Sequence, residues 1–433
     1  MAKVWIETYG CSASVADSEM IAGLLKSSGH EVVNNVNSSD VNMIVTCSVK
    51  DATANRMVYR IKLLSKTGKP LVVAGCLAKA ELGTVQKLNP VASMLGPDTI
   101  DRAVEVVNSA LNGTTVVALQ RSIKPKVNLP RARLNPTVSI VEIASGCLSE
   151  CSFCQTKLAK GKVQSYRMGD IVRQVKSDLR EGCKEVWLTS TDNGAYGKDL
   201  GCNLADLVNQ VCEIEGDFMV RIGMMNPMYV PFMLEDLIRA YKNDKVFKFL
   251  HIPVQSGSDK VLKLMKRGHR ASVFANIVKR FRREFRHFTI ATDVIVGFPE
   301  ENEKDFQQTI DLVNEVKPDI INISKFSARP GTEASEMESR VSVKSVKERT
   351  KTLHDLANAI GYRRNLSWVG WDGEILIDET KDNGVQGRNF AYKPVFLCER
   401  NIALGSKVGV KINSVFNHSL VGKLENDLRD QHC

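Results

Sequence analysis

Short β-rich runs alternate with helical patterns along most of this 433-residue chain. This alternation predicts a parallel sheet with helices on its faces. Ligands bind to such sheets at the carboxyl ends of the strands, so the loops that follow the strands are the candidate functional segments. The strand candidates of residues 1–120 are Val4–Thr8, Met43–Thr46 and Leu71–Ala74, and helical patterns cover Asp17–Ser27 and Ala52–Lys66.

Three blocks and a linker divide the chain. Residues 1–120 form a parallel-sheet α/β block, and residues 121–136 form a basic, extended linker with three prolines. In residues 137–362 six further strand candidates alternate with helices, which predicts a partial (β/α)6 barrel. Residues 363–433 hold short alternating runs between Gly, Asn and Asp, which predict a small all-β barrel. The fold class is therefore α/β with an all-β C-terminal domain.

The segments behind this division are the following. The linker charges are Arg121, Lys124, Lys126, Arg131 and Arg133. The strand candidates of the partial barrel are Val138–Ala144, Glu185–Thr189, Met219–Gly223, Phe249–Pro253, Thr289–Val296 and Ile320–Phe326. Those of the C-terminal barrel are Gly373–Asp378, Phe390–Phe396 and Lys407–Val415.

Composition narrows the class of protein. No run of 18 or more apolar residues predicts a membrane span, and the N-terminus lacks an apolar run of signal-peptide length, so we expect a cytoplasmic protein without a membrane partner. Eleven cysteines are scattered along the chain, which in a long cytosolic protein indicates metal binding or catalysis rather than disulfides. The net charge of +10 suits an anionic partner such as RNA, although it also suits simple solubility.

The strongest local pattern is C-x3-C-x2-C, formed by Cys147, Cys151 and Cys154 just after a predicted strand. Three thiolates on one short loop can hold three irons of a 4Fe–4S cluster and leave the fourth iron open to a small molecule. A structural zinc site is the alternative. Such a site normally takes four protein ligands, and no fourth Cys or His lies nearby in the sequence.

A second set of cysteines follows strands of the first block. Cys11, Cys47 and Cys76 each come directly after a predicted strand, and Gly10 and Gly75 would let the backbone approach a bulky group. Parallel strands bring their carboxyl ends to one edge, so these loops can converge on a second cluster. Buried structural cysteines are the alternative. The remaining five cysteines show no ligand spacing and are interpreted as core or incidental residues: Cys183, Cys202, Cys212, Cys398 and Cys433.

With these residues in view, the chain resembles the methylthiotransferases, a family of radical S-adenosylmethionine enzymes, over nearly its full length. The matching segments are ETYGCSASVADSEMIAGLL, VTCSVKDAT, VVAGC, GCLSECSFCQTKLAKGKVQSY, EVWLTSTDNGAYGKD, HIPVQSGSDKVLKLMKRGH, TDVIVGFPEENEKDF and SARPGTEAS. Several of them look most like the archaeal and eukaryotic branch, which modifies N6-threonylcarbamoyladenosine at tRNA position 37. The resemblance implies a three-cysteine domain, a radical S-adenosylmethionine barrel and a C-terminal TRAM barrel.

The resemblance also implies a reaction, that of a transferase with two 4Fe–4S clusters. The cluster on Cys11, Cys47 and Cys76 would carry sulfur, which one S-adenosylmethionine methylates. A second S-adenosylmethionine would be cleaved at the cluster on Cys147, Cys151 and Cys154, and the resulting radical would take hydrogen from adenine carbon 2. The implied partners are the tRNA anticodon loop, an electron donor and a sulfur source.

Residues around the strand ends gain roles in cofactor binding from the same resemblance, although ordinary turns or core packing would also explain them. The candidates are Phe153, Thr189, Ser190, Asp192, Asn193, Gln255, Ser256, Gly297 and Arg329, with Ser258, His251 and Pro299 nearby.

A basic stretch between residues 263 and 286 is the candidate RNA-binding surface, because it holds nine cationic residues against one acid. A solvated helix face is the alternative. The nine residues are Lys263, Lys266, Arg267, Arg270, Lys279, Arg280, Arg282, Arg283 and Arg286. In the C-terminal barrel, Phe390, Tyr392 and Phe416 could stack on bases or pack inside the domain.

Three other functions stay open at this point. Two keep the chemistry and change the substrate, to isopentenyladenosine in tRNA or to an aspartate of a ribosomal protein. The third is a non-catalytic RNA-binding protein with structural clusters.

Overall fold

The computed structural model describes residues 1–48, 51–122 and 124–425. The N-terminal part is a six-stranded parallel sheet in the order β2-β1-β3-β4-β5-β6. Its strands are β1 Lys3–Thr8, β2 Glu31–Val33, β3 Val41–Thr46, β4 Leu71–Gly75, β5 Ser93–Leu95 and β6 Val117–Ala118. Its helices are α1 Ser12–Ser27, α2 Asp51–Ser65, α3 Cys76–Ala80, α4 Leu82–Leu88 and α5 Ala103–Leu111, with short 3-10 turns at Val36–Ser38 and Ile100–Arg102.

Helices cover both faces of this sheet. The central strands β3 and β4 are buried along their whole length, as expected for parallel strands that have helices on both sides. Met43 and Val45 face a core that includes Met20 of α1, whereas Ile44 faces a core that includes Met57 of α2. The carboxyl ends of the strands therefore meet at one edge of the sheet.

The central part is a partial barrel of six parallel strands. They form two three-stranded sheets, β11-β10-β7 and β12-β13-β14, which a parallel bridge between Val220 and Val246 connects. The strands are β7 Val138–Glu142, β8 Ala144–Ser145, β9 Gln164–Ser165, β10 Glu185–Thr189, β11 Met219–Ile222, β12 Phe249–His251, β13 Thr289–Val296 and β14 Ile320–Lys325, where β8 and β9 form a separate small hairpin-like pair.

Helices alternate with these strands and cover the outside of the barrel. They are α6 Thr156–Lys160, α7 Met168–Arg180, α8 Leu204–Cys212, α9 Leu234–Tyr241, α10 Asp259–Leu264, α11 Ala271–Glu284, α12 Glu303–Val316, α13 Glu333–Glu336 and α14 Val343–Leu366. Short 3-10 turns lie at Asn193–Ala195 and Val230–Met233. The largest apolar core of the described chain lies between these helices and the barrel strands.

The C-terminal part is a closed five-stranded barrel in the order β15-β16-β17-β19-β18. Its strands are β15 Asp372–Lys381, β16 Gly384–Arg388, β17 Pro394–Leu397, β18 Lys407–Val415 and β19 Leu420–Leu424. All its strand pairs are antiparallel except β17 with β19. The architecture thus confirms the predicted fold class, a parallel-sheet domain, a partial (β/α)6 barrel and a small all-β barrel.

The C-terminal barrel docks against the strand starts of the partial barrel. The Tyr392 ring lies 4.9 Å from the ring of Phe247 and 5.0 Å from that of Phe249, and the backbone N–H of Lys248 donates to the carbonyl of Phe390 at 2.8 Å. The all-β domain therefore closes the end of the barrel opposite to the cysteine loops. Tyr392 is a packing residue and is not available to stack on a base.

This docking explains one error in the predicted strands. The prediction of a strand over Phe390–Phe396 is wrong in its first half, because the chain turns between Asn389 and Tyr392 and β17 begins only at Pro394. Tyr392 has a φ of 60°, a conformation that non-glycine residues rarely adopt. Packing of its ring under the barrel offsets that cost, and a strand pattern in the sequence cannot reveal such a long-range contact.

None of the helices in the described ranges combines the length and the apolar character that a membrane-spanning helix needs.

Candidate active site

Cys147, Cys151 and Cys154, here called the barrel triad, lie together in the loop between β8 and α6. The N–H of Cys154 donates to the carbonyl of Cys151 at 3.1 Å, and the N–H of Ser149 donates to the sulfur of Cys147 at 3.4 Å. The Lys157 ammonium donates to the carbonyl of Cys147 at 2.6 Å. The three thiols thus sit on a single tightly turned loop at the carboxyl end of the first barrel strand.

Neighbouring loops hold the barrel triad from the other side. The N–H and hydroxyl of Ser152 donate to the carbonyls of Met265 and Leu264 at 3.1 and 2.8 Å. The Arg267 guanidinium donates to the sulfur of Cys151 at 3.3 Å. Burial raises the pKa of Cys147 to about 11. Burial also raises the pKa of Cys151, and the nearby Arg267 charge opposes that shift.

Cys11, Cys47 and Cys76, here called the sheet triad, converge at the carboxyl edge of the N-terminal sheet. Thr46 of β3 pairs with Gly75 of β4, so the next residue on each strand is a cysteine. A Cβ atom on Gly10 would lie 2.4 Å from the Cβ of Cys47, with φ at +121°, so only glycine fits there. The register of the parallel strands therefore assembles three cysteines that are far apart in sequence.

The sheet triad has an uneven electrostatic environment. The pKa of Cys11 lies well below its usual value, first because the side chain of Cys47 hydrogen-bonds to it and also because of the Lys160 charge. Burial raises the pKa of Cys76 to about 12, and Lys160 opposes that shift. One buried lysine thus acts on two of the three thiols.

The donor sets of both triads fit iron–sulfur clusters. Among the described residues, no three His, Cys, Asp or Glu side chains, including the cysteines of the two triads, lie close enough together to share a single metal ion. Three thiolates and no oxygen or nitrogen ligand are the donor set of a cluster of several irons. The glycine at position 10, beside the sheet triad, keeps the backbone of that site free of an obstructing side chain.

The two triads lie on docked faces of the sheet and the barrel. Helix α3, which begins at Cys76, packs against α6, which follows the barrel triad. The hydroxyls of Ser12 and Thr189 hydrogen-bond at 2.8 Å, and the Gln155 amide donates to Glu81 at 3.0 Å. The junction is therefore made by residues directly beside the cysteines.

Four buried charges, here called the charge bridge, lie at this junction: Asp17, Lys126, Glu142 and Lys160. The Lys126 ammonium donates to Asp17 at 2.7 Å and also contacts Glu142, whose other oxygen accepts from Lys160 at 2.8 Å. Burial raises the pKa of Asp17 to about 6. Burial would also raise that of Glu142, but Lys126 and Lys160 outweigh it and lower the pKa to about 2.

Sequence reasoning missed three members of the charge bridge and recorded Lys126 only as a linker charge. An acid at the end of an apolar strand, as at Glu142, is the signal that could have found it, because such a carboxylate needs a buried cation.

Asp192 and Asn193 order the loop after β10. One oxygen of Asp192 accepts from the N–H groups of Gly194 and Asn226, both at 3.0 Å, and burial raises its pKa to about 6. The Asn193 amide donates to the carbonyl of Leu188 at 2.8 Å and accepts from Ser190 at 2.6 Å. Ser190 and Asn193 thus hydrogen-bond to each other, and Asn193 also bonds to the backbone. Thr189 hydrogen-bonds to Ser12.

The other cofactor-binding candidates lie around the same mouth of the barrel with different surroundings. Gln255 adopts a φ of 74°, and its N–H donates to the carbonyl of Asp293 at 2.8 Å. Ser256 is buried against Thr309 of α12, at 3.4 Å, which makes it a packing contact of that helix. Phe153 packs edge-on to Phe298 at 6.4 Å.

Four further candidate residues lie near the carboxyl ends of the barrel strands. The Gly297 N–H donates to Glu301 at 2.8 Å, and Arg329 is 8% exposed. Ser258 caps α10 by accepting from the N–H of Val261 at 3.4 Å. His251 lies 3.0 Å from an oxygen of Asp293 on the neighbouring strand.

Fewer cations of the basic stretch are available to bind RNA than its sequence indicates. Carboxylates from other elements pair with four of its nine cations, because segments that are distant in sequence pack beside α11 and the loop before it. These pairs are Lys266–Glu333 at 2.6 Å, Lys279–Glu315 at 2.7 Å, Arg280–Glu235 at 2.8 Å and Arg282–Asp319 at 3.6 Å. Within the described part of the chain, no carboxylate pairs with Lys263, Arg270, Arg283 or Arg286, and all four are exposed.

Arg267 departs most from its prediction. The sequence predicts that it belongs to the RNA-binding surface, but Arg267 is 6% exposed and its guanidinium donates to the sulfur of Cys151. The prediction of surface exposure is therefore wrong for this residue. The cause is again tertiary, since the loop after α10 folds back over the barrel triad.

An exposed aromatic residue that the sequence did not predict is connected to the loop of the barrel triad through two other side chains. Phe232 is 80% exposed, and the Lys198 ammonium lies 5.1 Å from its ring and 5.1 Å from that of Tyr229. The Tyr229 hydroxyl in turn lies 3.3 Å from that of Ser149 in the cysteine loop. Phe390 and Phe416 of the C-terminal barrel are also exposed, at 37% and 64%. Cys433 lies outside the described residues.

Comparison with known proteins places these sites in a family. Residues 141–313 match the model of the radical SAM superfamily, and residues 3–96 match an uncharacterized protein family, UPF0004. A protein of Archaeoglobus fulgidus, named probable threonylcarbamoyladenosine tRNA methylthiotransferase, is 41% identical over 98% of each chain. The human threonylcarbamoyladenosine tRNA methylthiotransferase is 35% identical over 99% of this chain and 75% of its own.

The chain belongs to the threonylcarbamoyladenosine tRNA methylthiotransferase family. Membership in this family makes it an enzyme of the transferase class. Its radical SAM domain implies S-adenosylmethionine and a 4Fe–4S cluster as cofactors. Among solved structures, the radical S-adenosylmethionine methyltransferase TsrM from Kitasatospora setae shares the fold, with a TM-score of 0.58 at 12% identity over 77% of each chain. The radical enzyme OxsB matches with a TM-score of 0.53 at 12% identity, over 81% of this chain and 56% of its own.

Proposed function

We propose that this enzyme inserts a methylthio group at adenine carbon 2 of N6-threonylcarbamoyladenosine at tRNA position 37. The observation that carries the proposal is the pair of three-thiol sites on docked faces of two domains, in a chain 35–41% identical to proteins named for this reaction. A generic radical enzyme needs only the barrel triad. A second triad beside it supplies a place for the sulfur that the product contains.

We also propose that the barrel triad holds the S-adenosylmethionine-binding cluster and that the sheet triad holds a second 4Fe–4S cluster. The support is that each triad offers three thiolates and leaves one iron for an outside ligand. When bound, the first cluster supplies the electron that cleaves S-adenosylmethionine, a reaction that side chains alone do not provide. An external electron donor and a sulfur source are therefore required partners.

The chain itself binds, orients and excludes water. Asp192 ties the loops after β10 and β11 together, and its position near Cys147 suits contact with the amino group of S-adenosylmethionine. Thr189, Gln255, Gly297, Arg329 and Phe153 are proposed as further lining of that pocket. The buried charge bridge holds the sheet domain on the barrel, so that the reacting groups stay in one dry space.

The tRNA approach is proposed over the rim of the barrel triad. Phe232 supplies a stacking surface and Lys198 a cation beside it. Lys263 of α10 and Arg270, in the loop that follows α10, add exposed positive charge. Arg283, in the last turn of α11, and Arg286, just after that helix, lie towards the C-terminal barrel, where they would contact a more distant part of the tRNA. A cytoplasmic location and the domain boundaries 1–120, 121–136, 137–362 and 363–433 belong to the same proposal.

Anaerobic reconstitution with iron and sulfide, followed by mass spectrometry of nucleosides from treated tRNA, tests the proposed reaction. We expect a methylthio derivative of N6-threonylcarbamoyladenosine, and no product on tRNA that lacks the threonylcarbamoyl group. Product on isopentenyladenosine instead would redirect the assignment within the same chemistry. Absence of any methylthio nucleoside, with clusters and reductant intact, would refute it.

Iron counting tests the second cluster separately. We expect about eight irons per reconstituted chain, because two 4Fe–4S clusters hold about four each. About four irons, with full cleavage of S-adenosylmethionine, would leave the barrel triad as the single cluster site.

A further inference from the structure

Arg267 is a buried arginine beside a proposed cluster ligand. It lies in the loop after α10 and is 6% exposed. One terminal nitrogen donates to the sulfur of Cys151 at 3.3 Å, and the other donates to the carbonyl of Pro253 at 3.0 Å. Its Nε has no hydrogen-bond partner within the described residues. An arginine is costly to bury, so its position indicates a specific use.

The backbone fixes Arg267 in this place. Its own N–H donates to the carbonyl of Leu262 at 3.0 Å, which ends α10, and Lys266 before it adopts a φ of 53°. The carbonyl of Met265 accepts from the N–H of Ser152 in the cysteine loop at 3.1 Å. The loop that carries the arginine and the loop that carries the thiols are thus hydrogen-bonded to each other directly beside the contact between Arg267 and Cys151.

The charge of Arg267 is directed at the barrel triad. No carboxylate in the described ranges forms an ion pair with it at salt-bridge distance. Its positive charge instead acts on Cys151 and on Asp192. A cationic donor whose nearest anionic partner is a cluster thiolate stabilises whichever cluster state carries more negative charge.

We propose that Arg267 is a positioning residue that raises the reduction potential of the cluster on the barrel triad by its charge-assisted hydrogen bond to Cys151. Reduction adds one electron from the external electron donor, so the reduced cluster is the more negative state. The hydrogen bond from the Arg267 guanidinium therefore stabilises the reduced cluster more than the oxidised cluster. Hydrogen bonds to cluster sulfurs are a recognised determinant of such potentials. The inference rests on the proposed function only in placing a cluster on the barrel triad. It is independent of the RNA substrate.

Redox titration of the full, reconstituted chain by electron paramagnetic resonance tests this role. Addition of S-adenosylmethionine identifies the signal of the barrel-triad cluster. We expect Arg267→Gln to lower its midpoint potential, so that the ratio of reduced to oxidised cluster at a fixed potential falls about tenfold, which is ~59 mV for a one-electron couple. Arg267→Lys keeps the positive charge but loses the two guanidinium nitrogens that donate to Cys151 and Pro253, so the midpoint potential should shift less than in Arg267→Gln. Arg239→Gln, on the exposed face of α9, is the matched control and should leave the potential unchanged.

Two results would overturn the proposal. In the first, Arg267→Gln loses iron or has a lower thermal midpoint, while the clusters that remain keep the wild-type reduction potential. Arg267 would then have a purely structural role. In the second, the potential is unchanged and tRNA affinity falls, which would restore the RNA role. Because no tRNA enters the redox titration, a failure to form methylthio nucleosides leaves this inference intact, whereas a wild-type chain with no signal that responds to S-adenosylmethionine would defeat it.

Discussion

The two triads are built in opposite ways. The barrel triad spans eight residues of one loop, from Cys147 to Cys154, and its members stay together through local turns. The sheet triad takes one residue from each of three parallel strand ends, from Cys11 to Cys76, and the register of the sheet brings them together. The first depends on a loop sequence and the second on a whole folded domain.

The triads also differ in their nearest cation. Arg267 touches a sulfur of the barrel triad and comes from the same domain. Lys160 acts on the sheet triad from outside its domain, because it belongs to α6 of the barrel and is held by Glu142. We therefore expect the sheet triad to depend on correct docking of the two domains more strongly than the barrel triad does.

Cysteine replacement should give the largest effect and separate the two triads completely. Cys154→Ala removes a proposed ligand of the cluster that binds S-adenosylmethionine, so both the cleavage of S-adenosylmethionine and the methylthio product should disappear. Cys76→Ala should also abolish the product, yet 5′-deoxyadenosine should still form because the barrel triad is intact. Chromatography of 5′-deoxyadenosine and nucleoside mass spectrometry measure the two outcomes.

Cys212→Ala is the matched control, since Cys212 is a buried cysteine of α8 away from both triads. It should retain both activities and about eight irons. Loss of S-adenosylmethionine cleavage in Cys76→Ala, with the barrel-triad signal still present, would contradict the division of roles.

The charge bridge offers the next largest effect. Lys160→Met leaves an oxygen of Glu142 buried without its cation, and breaking a buried pair costs about 3–5 kcal/mol. We expect a lower thermal midpoint and a loss of iron mainly from the sheet triad, with iron falling from about eight towards about four per chain. Calorimetry and iron analysis, combined with the assay of S-adenosylmethionine cleavage, measure this.

Lys162→Met, an exposed lysine two residues further along, controls for the change of residue type. If Lys160→Met loses iron equally from both triads, the dependence of the sheet triad on domain docking is wrong.

The contrast between the triads also marks what a sequence can predict. The barrel triad could be predicted because the C-x3-C-x2-C spacing alone places three cysteines on one loop. The sheet triad was predictable because strand ends of a parallel sheet share an edge, and the register of Thr46 with Gly75 shows how they meet. Both predictions needed only local patterns and one rule of topology.

Contacts between distant elements could not be predicted in this way. Arg267 belongs to a basic run in the sequence, and only the fold over Cys151 removes it from the surface. The carboxylates that pair with Lys266 and Lys279 come from other helices, so the charge of one segment overstated the free positive surface. The turn at Tyr392 likewise depends on aromatic rings in the barrel floor.

A third region, at the far end of the barrel, gives a pH-dependent comparison. Burial, and after it the nearby Asp378 carboxylate, raises the pKa of Glu185 from 4.5 to about 7. The unfolded chain loses this proton near pH 4.5 and the folded chain near pH 7. The carboxyl therefore favours the folded state fully below pH 4.5, and this contribution, at most about 3 kcal/mol, is lost as the pH rises through 7.

Glu185→Gln should make the thermal midpoint fall less between pH 5 and pH 8 than it does in the wild type, as calorimetry can measure. Glu213→Gln, at an exposed position after α8, should keep the wild-type pH dependence. Because Glu185 lies at the end of the barrel opposite to both triads, neither variant should change the iron content. An unchanged pH dependence in Glu185→Gln would contradict the buried, protonated state.

The smallest expected effect is a change in tRNA affinity, which tests whether the tRNA approaches on the side of the barrel triad or of the sheet triad. Phe232 is exposed, and Lys198 and Tyr229 connect it to the loop of the barrel triad. Stacking of a base on an aromatic ring is worth about 1–3 kcal/mol. Phe232→Ala should therefore weaken tRNA binding by roughly tenfold, which corresponds to about 1.4 kcal/mol, and Phe232→Trp should restore it. Tyr59→Ala removes an aromatic ring of similar exposure from α2 of the sheet domain, where it should have no effect. Fluorescence anisotropy at fixed salt measures the tRNA affinity of each variant. If Tyr59→Ala weakens tRNA binding and Phe232→Ala does not, the tRNA approaches over the sheet domain. The sheet triad, not the barrel triad, would then lie at the mouth of the active site.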